Sequence, residues 1–136
     1  MSNAMPVAIV TGAGRRAGIG RAIAQRAARD GFAVVVHERS TSSVTESELA
    51  DGWSGAASVV DEIMAAGGSA IAVSGDVLDR ATAADLVAAA AQLGALSAVI
   101  NNHGNAGEAN AHMVHTAPDD VLAAELQRRG WVVMEP

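Results

Sequence analysis

The chain has 136 residues, 50% of them apolar and 18% charged, with a net charge of −6. Those values fit one globular domain, exclude a disordered tail, and argue against nucleic acid as the main partner. No apolar run reaches the roughly 20 residues that cross a bilayer, and with no cysteine, tyrosine or lysine the chain has no disulfide, thiolate, phenol or side-chain amine to work with.

The start, MSNAM, lacks the basic and apolar stretches of a signal peptide. Ser2-Asn3-Ala4 before Met5 reads as a tag remnant, and the lack of cysteine suits a reducing cytoplasm.

Pro6 to Thr11 is a β-branched run ending in glycine, the pattern of a buried parallel strand. From Gly18 the pattern turns helical. Ile19, Ala22, Ile23 and Ala27 share one face, Arg21, Gln25, Arg26 and Arg29 take the other, and Gly31 ends the helix. Phe32 to His37 is a second apolar strand. Ser40 to Trp53 is rich in Ser and Thr and reads as a surface loop with Glu46, Glu48 and Asp51 in solvent. A helix from about Ser54 to Ala66, a strand from Ser69 to Gly75, a helix over Arg80 to Leu93 and a strand over Leu96 to Asn101 follow.

Strand and helix alternate, with short connections. That order predicts a doubly wound parallel α/β sheet in a single domain, without internal repeats. Beyond Asn102 a long loop is expected to Ala117, then a helix capped by Thr116 and running to Arg129, then a very short strand at Trp131 to Met134. The sheet would then be incomplete on its C-terminal side.

The segment TGAGRRAGIG (residues 11–20) lies between the first strand and the first helix, where free N–H groups and the helix dipole attract an anion. Two registers compete. Gly12, Gly14 and Ala17 form the general dinucleotide fingerprint G-x-G-x-x-A. Thr11-Gly12 and Gly18-Ile19-Gly20 form a second pattern, with an enlarged turn between them. The first would begin the helix near Gly14 and set Arg15 and Arg16 against the dipole; the second begins it where apolar periodicity begins, and is favoured. A glycine turn that binds nothing is the bland alternative.

Here the chain resembles the short-chain dehydrogenases/reductases, a family that binds NAD or NADP. Thr11-Gly12…Gly18-Ile19-Gly20 is similar to the family motif TGxxxGIG, with five residues rather than three between Gly12 and Gly18. Asn101-Asn102-His103-Gly104 is similar to NNAG, with His in the Ala position, and Gly75-Asp76-Val77 matches the D-V pair after the third strand. The resemblance spans about residues 5 to 104. It implies that Gly12, Gly18, Ile19 and Gly20 line a pyrophosphate, with Arg16 of the enlarged turn close by. Asp76 and Val77 would lie beside the adenine. Asn101, Asn102, His103 and Gly104 would lie on the nicotinamide side and hold the central strand.

Glu38 closes the second strand. A carboxylate there can accept both ribose hydroxyls and repel a 2′-phosphate, which points to NAD. Arg39, with Arg15 and Arg16, could instead pair a 2′-phosphate, which leaves NADP as the alternative. A third option is that Glu38 and Arg39 are merely solvated.

The family's proton transfer uses a tyrosine, a lysine four residues later, a serine and an asparagine. This chain has no tyrosine and no lysine, and the helix expected over Pro118 to Arg129 has no asparagine. His103 is the best placed alternative proton donor, against a plain turn residue. His112 and His115 at i, i+3 are weak metal candidates, and Asp119 and Asp120 suit a helix start better than catalysis. No catalytic residue and no metal ligand is therefore assigned. Two readings remain: the cofactor-binding part of a short-chain dehydrogenase whose proton-transfer half is not in this chain, or a non-catalytic dinucleotide- or partner-binding module. An uncovered sheet edge and uncovered helix faces predict a homo-oligomer or marginal stability in either case.

Overall fold

The computed structural model describes residues 3–40 and 44–104. Backbone contacts divide the chain into Met1–His103 and Gly104–Pro136, and the architecture below belongs to the first of these units. The helix and strand expected beyond Ala117, and His112, His115, Asp119 and Asp120, lie outside the described residues.

Strands β1 (Pro6–Val10), β2 (Ala33–Glu38), β3 (Ala70–Ser74) and β4 (Ala95–Ile100) form one sheet in the order β3-β2-β1-β4. Every pairing is parallel. β1 pairs β2 from Val7↔Ala33 to Val10↔Val36, and β2 pairs β3 from Val34↔Ala70 to Glu38↔Ser74. The β1–β4 ladder shifts between Val7↔Leu96 and Ala8↔Ala98, so Ser97 is the extra residue of a bulge. Continuous apolar runs are what central parallel strands need, because helices cover both faces. Val34, Val35 and Val36 are accordingly fully buried, whereas the outer strand β4 leaves Leu96 and Val99 exposed.

The helices are α1 (Ile19–Arg29), α2 (Glu46–Ala50), α3 (Ala56–Ala65) and α4 (Arg80–Leu93). One core layer joins Val10, Val34 and Val36 to Ala24 of α1, Val59 and Ile63 of α3, and Trp53. The other joins Val7, Ile9 and Val35 to Leu86, Ala89 and Ala90 of α4. Each fully buried valine contributes about 1.5–3 kcal/mol relative to exposure, so these two layers carry the fold.

Two sequence expectations change. On α1 the fully buried positions are Gly20 and Ala24; of the apolar stripe, Ile23 and Ala27 are half-buried against the core while Ile19 and Ala22 are exposed. All four line an open apolar trough of about 460 Å³ with Ala8, Phe32, Ala98 and Ile100. The segment expected as a loop from Ser40 to Trp53 contains α2. Thr45 Oγ1 accepts the Glu48 N–H, and the Glu48 side chain accepts the Thr45 N–H, a complete capping box. Asp51 pairs with Arg16 rather than with water alone, and Trp53 is in the core.

Candidate functional site

β1 has β2 on one side and β4 on the other, so the strand order reverses between β1 and β4. In open parallel sheets the crevice beyond the carboxyl ends at such a point is where ligands bind. The residues that follow the two strands are tied directly together. The Asn102 side-chain amide donates to the carbonyls of Thr11 and Gly12 at 3.2 and 3.1 Å. The backbone N–H groups of Asn102 and His103 donate to Thr11 Oγ1 at 3.1 and 3.3 Å. That hydroxyl has one proton to share between the Ile100 carbonyl at 3.3 Å and His103 Nδ1 at 2.9 Å.

A second bridge comes from β2. His37 is 1% exposed after an apolar run of four residues in β2, and a buried polar group must find partners. Its Nδ1 accepts the Gly12 N–H at 3.2 Å, and its Nε2 donates to the Gly75 carbonyl at 2.7 Å. Gly12 supplies a hydrogen and Gly75 a lone pair, which assigns the proton to Nε2. The His37 carbonyl also accepts the Ala13 N–H at 2.7 Å. Sequence reasoning missed His37; its signal was a polar residue after an apolar run in a strand buried on both faces.

Three carbonyls within the enlarged turn accept from protein donors. Trp53 Nε1 donates to the Gly14 carbonyl at 2.9 Å, Arg21 Nη1 to that of Arg16 at 2.9 Å, and the Gly18 N–H to that of Arg15 at 3.2 Å. With Thr11 and Gly12 held by Asn102, the carbonyls of residues 11, 12, 14, 15 and 16 accept from protein donors. α1 begins at Ile19 with Gly18 as its N-cap, so the register that starts the helix near Gly14 is excluded. No side chain caps this end, and the first-turn N–H groups have no intrahelical acceptor.

Two glycines are sterically required here. Gly12 has φ +65°, and a Cβ on it would lie 2.8 Å from His103 Cα. A Cβ on Gly20 would lie 2.8 Å from both Ala13 Cα and the Gly12 carbonyl oxygen. Free donors at a helix N-terminus, beside a backbone kept bare of side chains, fit a phosphate group.

Glu38, expected to face a ribose or, in the bland alternative, solvent, is a buried residue at 4% exposure. Oε2 accepts the Ala56 N–H at 3.0 Å and Oε1 accepts the Ser74 hydroxyl at 3.2 Å. Glu38 therefore caps α3, whose own N-cap residue, Gly55, has no side chain to do so. Arg39 is largely exposed, its Nη2 3.9 Å from Asp76 Oδ2. Asp76 Oδ1 accepts the Leu78 N–H at 2.9 Å in the turn that leads into α4, and Val77 is half-buried in that turn. Ile19 is 75% exposed at the first position of α1. Arg16 reaches Asp51 at 2.8 Å, and Arg15 is exposed. Gly104, also exposed, is the first residue of the second unit.

Behind the turn, Arg21 donates from Nε and Nη2 to both Glu62 oxygens at 2.9 and 2.7 Å. Gln25 adds a third donor at 2.8 Å, and the guanidinium carbon lies 5.3 Å from the Trp53 ring centre. The Arg21 hydrogen bonds hold the Glu62 carboxyl below the usual carboxylate range, and Glu62 in turn raises Arg21.

The family model for short chain dehydrogenase matches residues 6–126. The chain belongs to this family. An uncharacterized oxidoreductase of Methylorubrum extorquens is 46% identical over 99 residues, which is 72% of this chain and 35% of that one. A short-chain dehydrogenase structure from Mycobacterium avium superposes with a TM-score of 0.61 at 38% identity, covering 88% of this chain and 39% of that one. A blue fluorescent protein from a metagenomic library, solved in complex with NADPH, gives 0.59 at 36% identity over 74% of this chain and 36% of its own. The chain thus spans about a third of the relatives it matches. The short-chain dehydrogenase sheet of this chain is doubly wound and Rossmann-like, as its strand order requires. Among the described residues no helix is long and apolar enough to cross a membrane.

Proposed function

We propose that this chain is the dinucleotide-holding part of a short-chain dehydrogenase, and that it binds NADP in preference to NAD. One observation carries the reading: a glycine turn in which the carbonyls of Thr11, Gly12, Gly14, Arg15 and Arg16 accept from protein donors, beside the uncapped first turn of α1 that can receive a pyrophosphate. Gly12, Gly18, Ile19 and Gly20 would hold that pyrophosphate, Asp76 and Val77 the adenine, and Asn102, His103 and Gly104 the nicotinamide side.

The choice of cofactor turns on Glu38. A carboxylate selects NAD by accepting the ribose hydroxyls and repelling a 2′-phosphate. Here both oxygens already serve Ala56 and Ser74 inside the protein. Arg39 is left as the exposed charge at the end of β2, with Arg15 and Arg16 in the neighbouring turn. The similar structure that carries NADPH supports the same choice.

When bound, a nicotinamide supplies hydride transfer to or from a carbonyl carbon. The accompanying proton needs a donor, and this chain has neither tyrosine nor lysine to provide the family's usual one. Binding without turnover is therefore the expected behaviour of the chain alone. The exposed Leu96 and Val99 on β4 further support self-association along that strand.

Calorimetric titration of the chain with NADPH and NADH tests the reading. Saturable binding of NADPH, tighter than NADH and without consumption of carbonyl substrates, is expected. Failure to bind either dinucleotide refutes it, and tighter NADH binding refutes the cofactor choice.

A further inference from the structure

The enlarged glycine turn is tied at Gly14 and Arg16 to the segment between β2 and α3 and to Arg21 of α1, which stacks on that segment. Trp53 holds the Gly14 carbonyl. Arg21, stacked over the Trp53 ring, holds the Arg16 carbonyl. Asp51, the C-cap of α2, holds the Arg16 guanidinium at 2.8 Å.

α2 buries none of its own residues, so core packing does not explain its presence. Its capping box fixes how the chain enters the helix, and the residues it delivers are Asp51 and Trp53. Trp53 goes inside, 7% exposed, in the layer shared by α1 and α3, with Val44 packed against the same layer. Every residue added to a turn brings backbone freedom that must be removed before its N–H groups point one way. A turn of five residues where three suffice needs an external brace, and the three ties supply it.

We infer that α2 and Trp53 form a strut matched to the enlarged turn, with Trp53, Arg21 and Asp51 as positioning residues for the dinucleotide. The inference rests on the dinucleotide reading of the site. The strut acts on the turn through the Gly14 and Arg16 carbonyls and the Arg16 guanidinium.

The test uses the full chain. Trp53→Phe keeps an aromatic ring in the core while deleting the N–H together with part of the indole. It should raise amide hydrogen exchange at residues 13–18 and weaken NADPH about tenfold, as expected for loss of one buried hydrogen bond. Deleting Arg15 and Arg16 restores three residues between Gly12 and Gly18. In that shortened background Trp53→Phe should leave the NADPH dissociation constant unchanged, because the carbonyl it braces is no longer part of an enlarged turn. Arg21→Met, a change at a partly exposed residue, removes the second tie and covers the case in which Trp53→Phe does not fold. The inference is overturned if exchange and affinity stay at wild-type values in both variants. It is equally overturned if the Trp53→Phe and deletion effects simply add. If the wild-type chain binds no dinucleotide, the functional reading fails, and the exchange measurement alone decides the strut.

Discussion

Glu38 at the end of β2 accepts the backbone N–H of Ala56, so a strand residue caps a helix that begins 18 positions later. Glu38→Ala leaves that N–H and the Ser74 hydroxyl without their acceptor, which should cost about 1–3 kcal/mol. Glu38→Gln keeps one carbonyl acceptor and should cost less. Since the carboxylate serves the helix, Glu38→Ala should change the ratio of NADPH to NADH affinity by no more than about threefold, well under 1 kcal/mol. Thermal unfolding and paired titrations check both halves. A selective collapse of NADH binding would return Glu38 to the ribose.

Arg39 carries the opposite expectation. Its only ion-pair partner among the described residues is Asp76, at 3.9 Å, which leaves the guanidinium available. A charge-assisted hydrogen bond to a 2′-phosphate is worth about 1.5–3 kcal/mol. Arg39→Ala should therefore weaken NADPH about tenfold or more while leaving NADH nearly unchanged. Equal losses for the two cofactors would make Arg39 a general surface charge.

Asn102 is the clamp between the two sheet halves, and its test depends on the sign of the replaced group. The amide nitrogen donates to two carbonyls, those of Thr11 and Gly12. Asn102→Ala removes both bonds and should cost about 1–3 kcal/mol. Asn102→Asp sets a carboxylate against two carbonyl oxygens and should be worse than alanine despite its closer shape. Urea unfolding of the three proteins ranks them; aspartate at or above alanine would refute the clamp.

The strands were legible because Val34 to Val36, like Val7 to Val10, must be apolar on both faces to lie in a covered parallel sheet. The register of the glycine turn was legible too, because helical periodicity starts at Gly18 and not at Gly14. What stayed hidden depends on partners far along the chain. Trp53 meets Gly14 across 39 positions, and His37 meets Gly12 across 25. A local pattern records that Trp53 is large and His37 polar, but not which carbonyl or N–H each will find. α2 is a different case. Thr45 and Glu48 have the spacing of a capping box, and the polar composition around them masked that signal.

Acid should separate the Arg21–Glu62 pair from the rest of the structure. Hydrogen bonds from Arg21 hold the folded-state carboxyl of Glu62 below its usual value, which is about 4.3 in an unfolded chain. A lowered folded value stabilises the protein fully above the unfolded one and loses that contribution as the pH falls through the folded one. The side chains are 31% and 34% exposed, so water screens the pair and limits its worth to about 1 kcal/mol. Arg21 stays charged throughout, so the change belongs to Glu62 alone. Glu62→Gln should therefore be less stable than wild type at neutral pH, and the gap should close below about pH 4. Glu48, whose carboxyl the Thr45 backbone N–H also lowers, is common to both proteins and cancels in the difference. Urea midpoints across that range measure it, and a gap that persists unchanged into acid would mean that packing, and not charge, accounts for the cost of the substitution.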